Sequence, residues 1–176
     1  MMFMHELKLE NGLSASVSGD AVSIKGPLGS NQRQFNSSLL SVKADSGKLI
    51  IEPIGAGKLR KKAEIASYSL YKELQNDAKG VQKYFEIEME AVYAHFPLTM
   101  EVKGQEFIIK NLFGERYPRK AEIVGNTKAE IKEKKLRLYG TKLDDVAQTA
   151  ANIRQACKLK HKDERVFQDG VYYSIG

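Results

Sequence analysis

Apolar and polar residues alternate with period two in two stretches of the chain, "VSGDAVSIKGPLG" (residues 17–29) and "VKGQEFIIKNLFG" (residues 102–114). Such alternation marks a strand with one face buried and the other wet. The two stretches match at a constant offset: Gly19 with Gly104, Gly29 with Gly114, Val17 with Val102, Val22 with Phe107, Ile24 with Ile109, Lys25 with Lys110 and Leu28 with Phe113. The first glycine of each pair falls where a tight hairpin turn needs a residue without a Cβ. The second punctuates the exit from the second strand. A further strand pair follows each time, ending in "GKLIIEPI" in the first half and "KKLRLYG" in the second. A helical period then takes over.

In the first half that period predicts a helix from about Gly57 to Lys79, with Leu59, Ala63, Ala66, Leu70 and Leu74 on one face and Gly80 as the stop. In the second, Thr141 is the expected N-cap, and Asp144 and Asp145 complement the positive end of the helix dipole. Leu143, Val146, Ala147, Ala150, Ile153 and Cys157 form the apolar stripe, with the small residues Ala147, Ala150 and Ala151 letting the helix lie close on a sheet. Val171 to Ile175 reads as a closing strand. Between the halves, "GVQKYFEIEMEAVYAHF" alternates Phe85, Ile87, Met89, Ala91 and Tyr93 with glutamates. It is expected to form a long strand from near Val81, pairing with the first sheet and leading into the second. The fold class is α+β: two tandem similar domains, residues 1–81 and 82–176, each an antiparallel β-sheet packed against one α-helix.

With 176 residues, 42% of them hydrophobic, the chain has material for packed cores. Its apolar runs fall far short of the ~20 residues that cross a bilayer, and Glu6 and Glu10 interrupt the start where a signal peptide would be apolar. No membrane partner is expected. The lone Cys157 excludes an internal disulfide and a cysteine-based metal cluster, and fits a reducing cytoplasm. The net charge of +6 gains meaning from its distribution. Cations gather at residues 58–62, 110–120 and 160–165. Three clusters in so short a chain favour a polyanionic partner, RNA first.

Catalytic and cofactor patterns fail. "GAGKLRKK" resembles a phosphate loop, but that pattern requires glycine where Glu52 stands and Ser or Thr where Leu59 stands. It reads instead as a loop opening the first helix, with Lys58, Arg60, Lys61 and Lys62 facing solvent. His5, His95 and His161 lie far apart, without the spacing of metal ligands, and His95 reads as a packed residue near a turn. No nucleophile elbow is present. The adjacent acids Asp144 and Asp145 are explained by helix capping. The expectation is no enzymatic activity, no cofactor, no metal and no small-molecule substrate.

Two basic loops carry the functional reading. "KNLFGERYPRKAEI" presents Arg116, Arg119 and Lys120 around Tyr117 and Pro118, after the turn at Gly114. Proline stiffens the loop, so its cations lose less entropy on binding phosphates. "RQACKLKHKDERVFQDGVYY" presents Lys158, Lys160, His161, Lys162 and Arg165. Phe167 is expected to bury itself as an anchor, with Asp169 and Gly170 turning the chain into the last strand. The two loops lie close together if that strand joins the second sheet. A plainer reading has Arg165 paired with Asp163 or Asp169, an exposed pair contributing roughly 0–1 kcal/mol.

"VYAHFPLTMEV", "NLFGERYPRKAEIVG" and "DDVAQTAANIRQACKLKHKDERVFQDGVYY" closely resemble the large-subunit ribosomal protein L-six family in its archaeal and eukaryotic form. Gln155, Leu159, Lys162, Arg165, Phe167, Asp169, Gly170, Val171 and Tyr172 fall where that family has them, while Tyr173 replaces an aliphatic residue. The resemblance is strong from about Tyr93 to Tyr172 and is one of plan in the first half. It implies a structural protein of the cytoplasmic ribosome, binding large-subunit rRNA mainly through its second domain, near the sarcin–ricin loop and the base of the factor-binding stalk. Neighbouring ribosomal proteins would be its other partners. By position it makes Arg116, Arg119, Lys158, Lys162 and Arg165 RNA contacts, with Phe167, Asp169 and Gly170 shaping the loop. The competing reading is a protein-interaction module that uses exposed sheet edges and binds no RNA.

Overall fold

The computed structural model describes residues 4–9, 12–45, 47–55, 57–94, 97–159, 163 and 165–174, with Lys58 described by its backbone alone. The chain divides into two compact units, residues 1–84 and 85–176.

The first unit runs through β1 (His5–Lys8), β2 (Ser14–Ser18), β3 (Ala21–Gly26), β4 (Gly29–Gln34), β5 (Leu40–Asp45), β6 (Lys48–Pro53) and α1 (Lys58–Gly80). Its strands form two antiparallel sheets, ordered β1-β6-β5 and β2-β3-β4. Gly19 closes the β2–β3 turn at φ +57°, the left-handed backbone such a turn demands of its first central residue. The core takes Val22 and Ile24 from β3, Leu49 and Ile51 from β6, and Leu70 and Leu74 from α1.

The inward edge of α1 is Ala63, Ser67, Leu70, Leu74 and Asp77. Leu59, assigned to that stripe from sequence, is 53% exposed: it keeps the phase of the stripe but lies in the first turn, clear of the core. Asp77 is 1% exposed and is satisfied by Arg33 on β4, whose Nε donates to Oδ2 at 2.6 Å, and by Asn31, whose amide donates to Oδ1 at 3.2 Å. Gly80 belongs to the helix, and the fully buried Val81 caps it. Val81 therefore closes the first unit and does not begin the next strand.

The second unit comprises β7 (Phe85–Val92), β8 (Thr99–Lys103), β9 (Glu106–Lys110), a single 3-10 turn (Leu112–Gly114), β10 (Arg119–Glu122), β11 (Lys128–Lys132), β12 (Lys135–Gly140), α2 (Leu143–Ala156) and β13 (Gly170–Tyr173). Its sheets are ordered β10-β9-β8 and β11-β12-β7-β13. Gly104 repeats the turn of Gly19, at φ +61°. β7, expected to pair with the first sheet, has both edges occupied within its own unit. Ile87 and Met89 face Leu138 and Leu136 of β12, and Ala91 faces Val171 of β13.

α2 begins one residue later than expected: Lys142, not Thr141, is the N-cap, and it makes no side-chain cap bond. Val146, Thr149, Ala150, Ile153 and Cys157 are buried, whereas Ala147 and Ala151 face outward. Thr149 takes the inward place because its hydroxyl is satisfied twice. It donates to the Asp145 carbonyl at 2.7 Å and accepts from the Val124 N–H at 3.0 Å. The protein is α+β with two similar units, and within each unit the strands divide between two small sheets.

Candidate nucleic-acid interface

The chain leaves β9 through a tightly wound turn. Asn111, Phe113 and Gly114 all hold left-handed backbone, at φ +59°, +53° and +72°. For the two non-glycine residues that conformation costs on the order of 1 kcal/mol or more each, and such strain concentrates at functional sites. The turn buries Leu112 and Phe113 and leaves Gly114, Arg116, Tyr117 and Pro118 in solvent, with Tyr117 83% exposed.

Arg119 then holds this loop to the end of α2. Its Nε and Nη2 donate to the two carboxylate oxygens of Glu115 at 2.8 and 2.6 Å. Its Nη1 donates to the carbonyls of Ala156 and Lys158 at 2.9 and 2.7 Å. Carbonyls at a helix C-terminus lack an N–H partner of their own, and a cation there also complements the helix dipole. The guanidinium lies 5.5 Å from the centroid of the Phe113 ring. Hydrogen bonding to Glu115 raises its already high basicity, against the opposing pull of partial burial. Four of the five N–H donors of a guanidinium are thus occupied. Arg119, expected from sequence to grip phosphate, sits here as a clamp between the two basic segments.

Other expected cations are also paired. Lys120 donates to Glu106 at 2.9 Å and Lys110 to Glu101 at 2.5 Å. Arg116, Lys158 and Arg165 are different: all three are exposed, and their side chains make no hydrogen bond or ion pair among the described residues. Arg165 meets Asp163 only through its backbone N–H, at 2.9 Å. Lys160, His161 and Lys162 lie outside the described residues, as do His95 and Glu164.

The expected loop-shaping residues are placed as follows. Phe167 is 39% exposed, so it is not the buried anchor the sequence suggests. It meets Phe113 edge-on, with centroids 6.3 Å apart. Its neighbours already fill the core, and the ring leans on that surface. Asp169 accepts the Ala94 N–H at 2.9 Å, tying the approach to β13 to the end of β7. Gly170 is buried where a Cβ would stand 3.2 Å from the Tyr172 ring and 3.5 Å from the Cys157 Cβ. Gly114 and Pro118 lie on the exposed outer turn.

Beside these loops opens a cleft of about 610 Å³, whose walls include Phe167, Tyr172, Tyr173, Arg154, Lys158 and Asp169. Arg154 lies over the Tyr172 ring at 4.3 Å. Sequence reasoning overlooked Arg154 and Glu115. The one available signal was the Glu115–Arg119 spacing of four, an acid placed inside an otherwise basic run. Among the described residues, no helix is long and apolar enough to cross a membrane.

The arrangement defines a class of protein: a duplicated α+β scaffold whose braced loops present cations with no side-chain partner among the described residues. Known proteins align with nearly all of the chain. The family described as Ribosomal protein L6 matches residues 96–170. The large ribosomal subunit protein uL6 of Methanocella arvoryzae is 39% identical, over 96% of this chain and 94% of its own length. Those of Methanosarcina mazei and Archaeoglobus fulgidus are 36% and 37% identical, over 94% and 89% of this chain and 93% and 79% of their own lengths. The chain belongs to the uL6 family of large ribosomal subunit proteins. That family is structural and non-enzymatic.

Proposed function

We propose that the protein is a structural constituent of the large ribosomal subunit that docks on large-subunit rRNA through Arg116, Lys158 and Arg165 of its second unit. Lys160, His161 and Lys162 extend the same binding segment in sequence. Lys120 and Arg119 border it, with Arg119 acting chiefly by holding the loops. The supporting observation is the contrast within one small region. Glu101, Glu106 and Glu115 neutralise Lys110, Lys120 and Arg119, while three exposed cations nearby have no partner among the described residues. Loops fixed by the Arg119 clamp and the Phe113–Phe167 contact bring those charges to RNA with little ordering left to do. Recognition is of backbone and shape more than of base identity.

The sequence resemblance supports extending the proposal to a location. The docking surface lies near the sarcin–ricin loop and the base of the factor-binding stalk, with ribosomal proteins as neighbours. Filter binding of the full chain to a large-subunit rRNA transcript across a salt series tests the docking. Replacing Arg116, Lys158 and Arg165 together by Glu is expected to weaken binding by at least tenfold and to flatten the slope of log Kd against log salt by roughly two or three. Affinity unchanged by the triple replacement contradicts the assignment.

A further inference from the structure

The cleft beside α2 has a chemistry that phosphate docking does not use. Phosphate asks for cations and N–H donors, yet much of this wall is aromatic. Tyr173 and Phe167 are 49% and 39% exposed. Tyr172 is held in place by a hydrogen bond from its hydroxyl to the Gln168 carbonyl at 3.0 Å and by Arg154 across its face. Asp169 commits one oxygen to the Ala94 N–H and has no further partner among the described residues. A carboxylate accepts hydrogen bonds and repels phosphate. It suits the amino edge of a base. Lys158 lies on the same wall, available to the phosphate of whatever nucleotide enters.

We propose that this cleft receives one unpaired nucleobase carrying an exocyclic amino group, extruded from the rRNA that the neighbouring cations hold. Unstacked bases are recognised by stacking on aromatic side chains and by hydrogen bonds to their edges. The cleft offers both, and its volume falls in the range of small-ligand sites. The inference rests on the rRNA-docking function proposed above and names what its interface reads.

The test uses the full chain, a large-subunit rRNA transcript and chemical probing of base edges with dimethyl sulfate and kethoxal. Wild type is expected to protect an unpaired nucleotide that Phe167→Ala and Tyr173→Ala each leave reactive. Affinity should fall roughly tenfold in each variant, with the salt slope unchanged, the thermal midpoint of Tyr173→Ala unchanged, and Tyr173→Phe binding as wild type does. If wild type binds with its expected salt dependence while both alanine variants bind as tightly and protect the same bases, the cleft holds no base and only this inference falls. If wild type binds the transcript no better than a scrambled RNA, the docking function fails and takes the inference with it.

Discussion

Arg119 donates through Nη1 to the carbonyl of Lys158 at 2.7 Å, joining residues 39 positions apart. The same guanidinium grips Glu115 with two hydrogen bonds, so one side chain fixes the spacing between the loop after β9 and the end of α2. The arginine most deeply set in the basic region serves the protein's own geometry. On the proposed reading, the cations left over, Arg116, Lys158 and Arg165, are the ones that serve RNA.

Arg119→Ala removes the donor to two carbonyls and two of the hydrogen bonds to Glu115, and is expected to lower stability in urea by about 1–3 kcal/mol. Arg119→Lys should recover less than half of that, because an ammonium cannot reproduce the fork that meets Glu115 and the helix end together. In rRNA binding, both variants weaken affinity through a displaced loop and keep the wild-type salt slope. A slope flattened by about one would make Arg119 a phosphate ligand after all.

Burial pushes the Cys157 thiol above its usual range, against the opposing pull of a hydrogen bond with the Val171 backbone and of the charges on Arg154 and Arg119. The unfolded thiol ionises near pH ~8.5. Above that pH the unfolded chain has released a proton that the folded chain still holds, so stability must fall as pH rises. The contribution is whole below ~8.5 and declines from there towards the higher folded value. Paired urea titrations of wild type and Cys157→Ala should therefore converge as the pH rises above about 8.5, at up to ~1.4 kcal/mol per pH unit. Parallel curves would mean that the thiol is not protected. Ellman's reagent should leave the folded protein unmodified at pH 8 and titrate the thiol once urea is added.

The buried carboxylate of Asp77 fixes α1 to β4 through Arg33 and Asn31. Asp77→Ala removes the closest partner of Arg33, whose side chain is only 13% exposed and keeps Glu73 at 3.3 Å, and should destabilise the first unit by about 1–3 kcal/mol. Hydrogen exchange would show this as faster exchange along α1 with α2 unaffected. Equal acceleration in both helices would mean that the two units unfold as one.

Local chemistry was legible in the sequence, and partner choice was not. Gly19 and Gly104 announce their turns because the requirement for left-handed backbone is satisfied within one residue. The alternation of β7 is equally plain, but period two says which face is buried and not which strands take the edges. Those edges went to β12 and β13, far along the chain. Helical spacing placed Leu70, Leu74, Ala150 and Ile153 inward and missed Ser67, Asp77 and Thr149, whose burial depends on hydrogen-bond partners that no periodicity encodes. Among the site residues, Arg116 and Arg119 look alike in sequence. Only the fold reveals that Arg119 is held by carbonyls of the α2 end.

A cryo-electron-microscopy map of the large ribosomal subunit carrying this protein reaches the central claim most directly. The account predicts Arg116, Lys158 and Arg165 within hydrogen-bond distance of rRNA phosphates, with Arg119 still turned inward onto Glu115. A map in which those three side chains face open solvent, and the RNA is met by other surfaces alone, would contradict it.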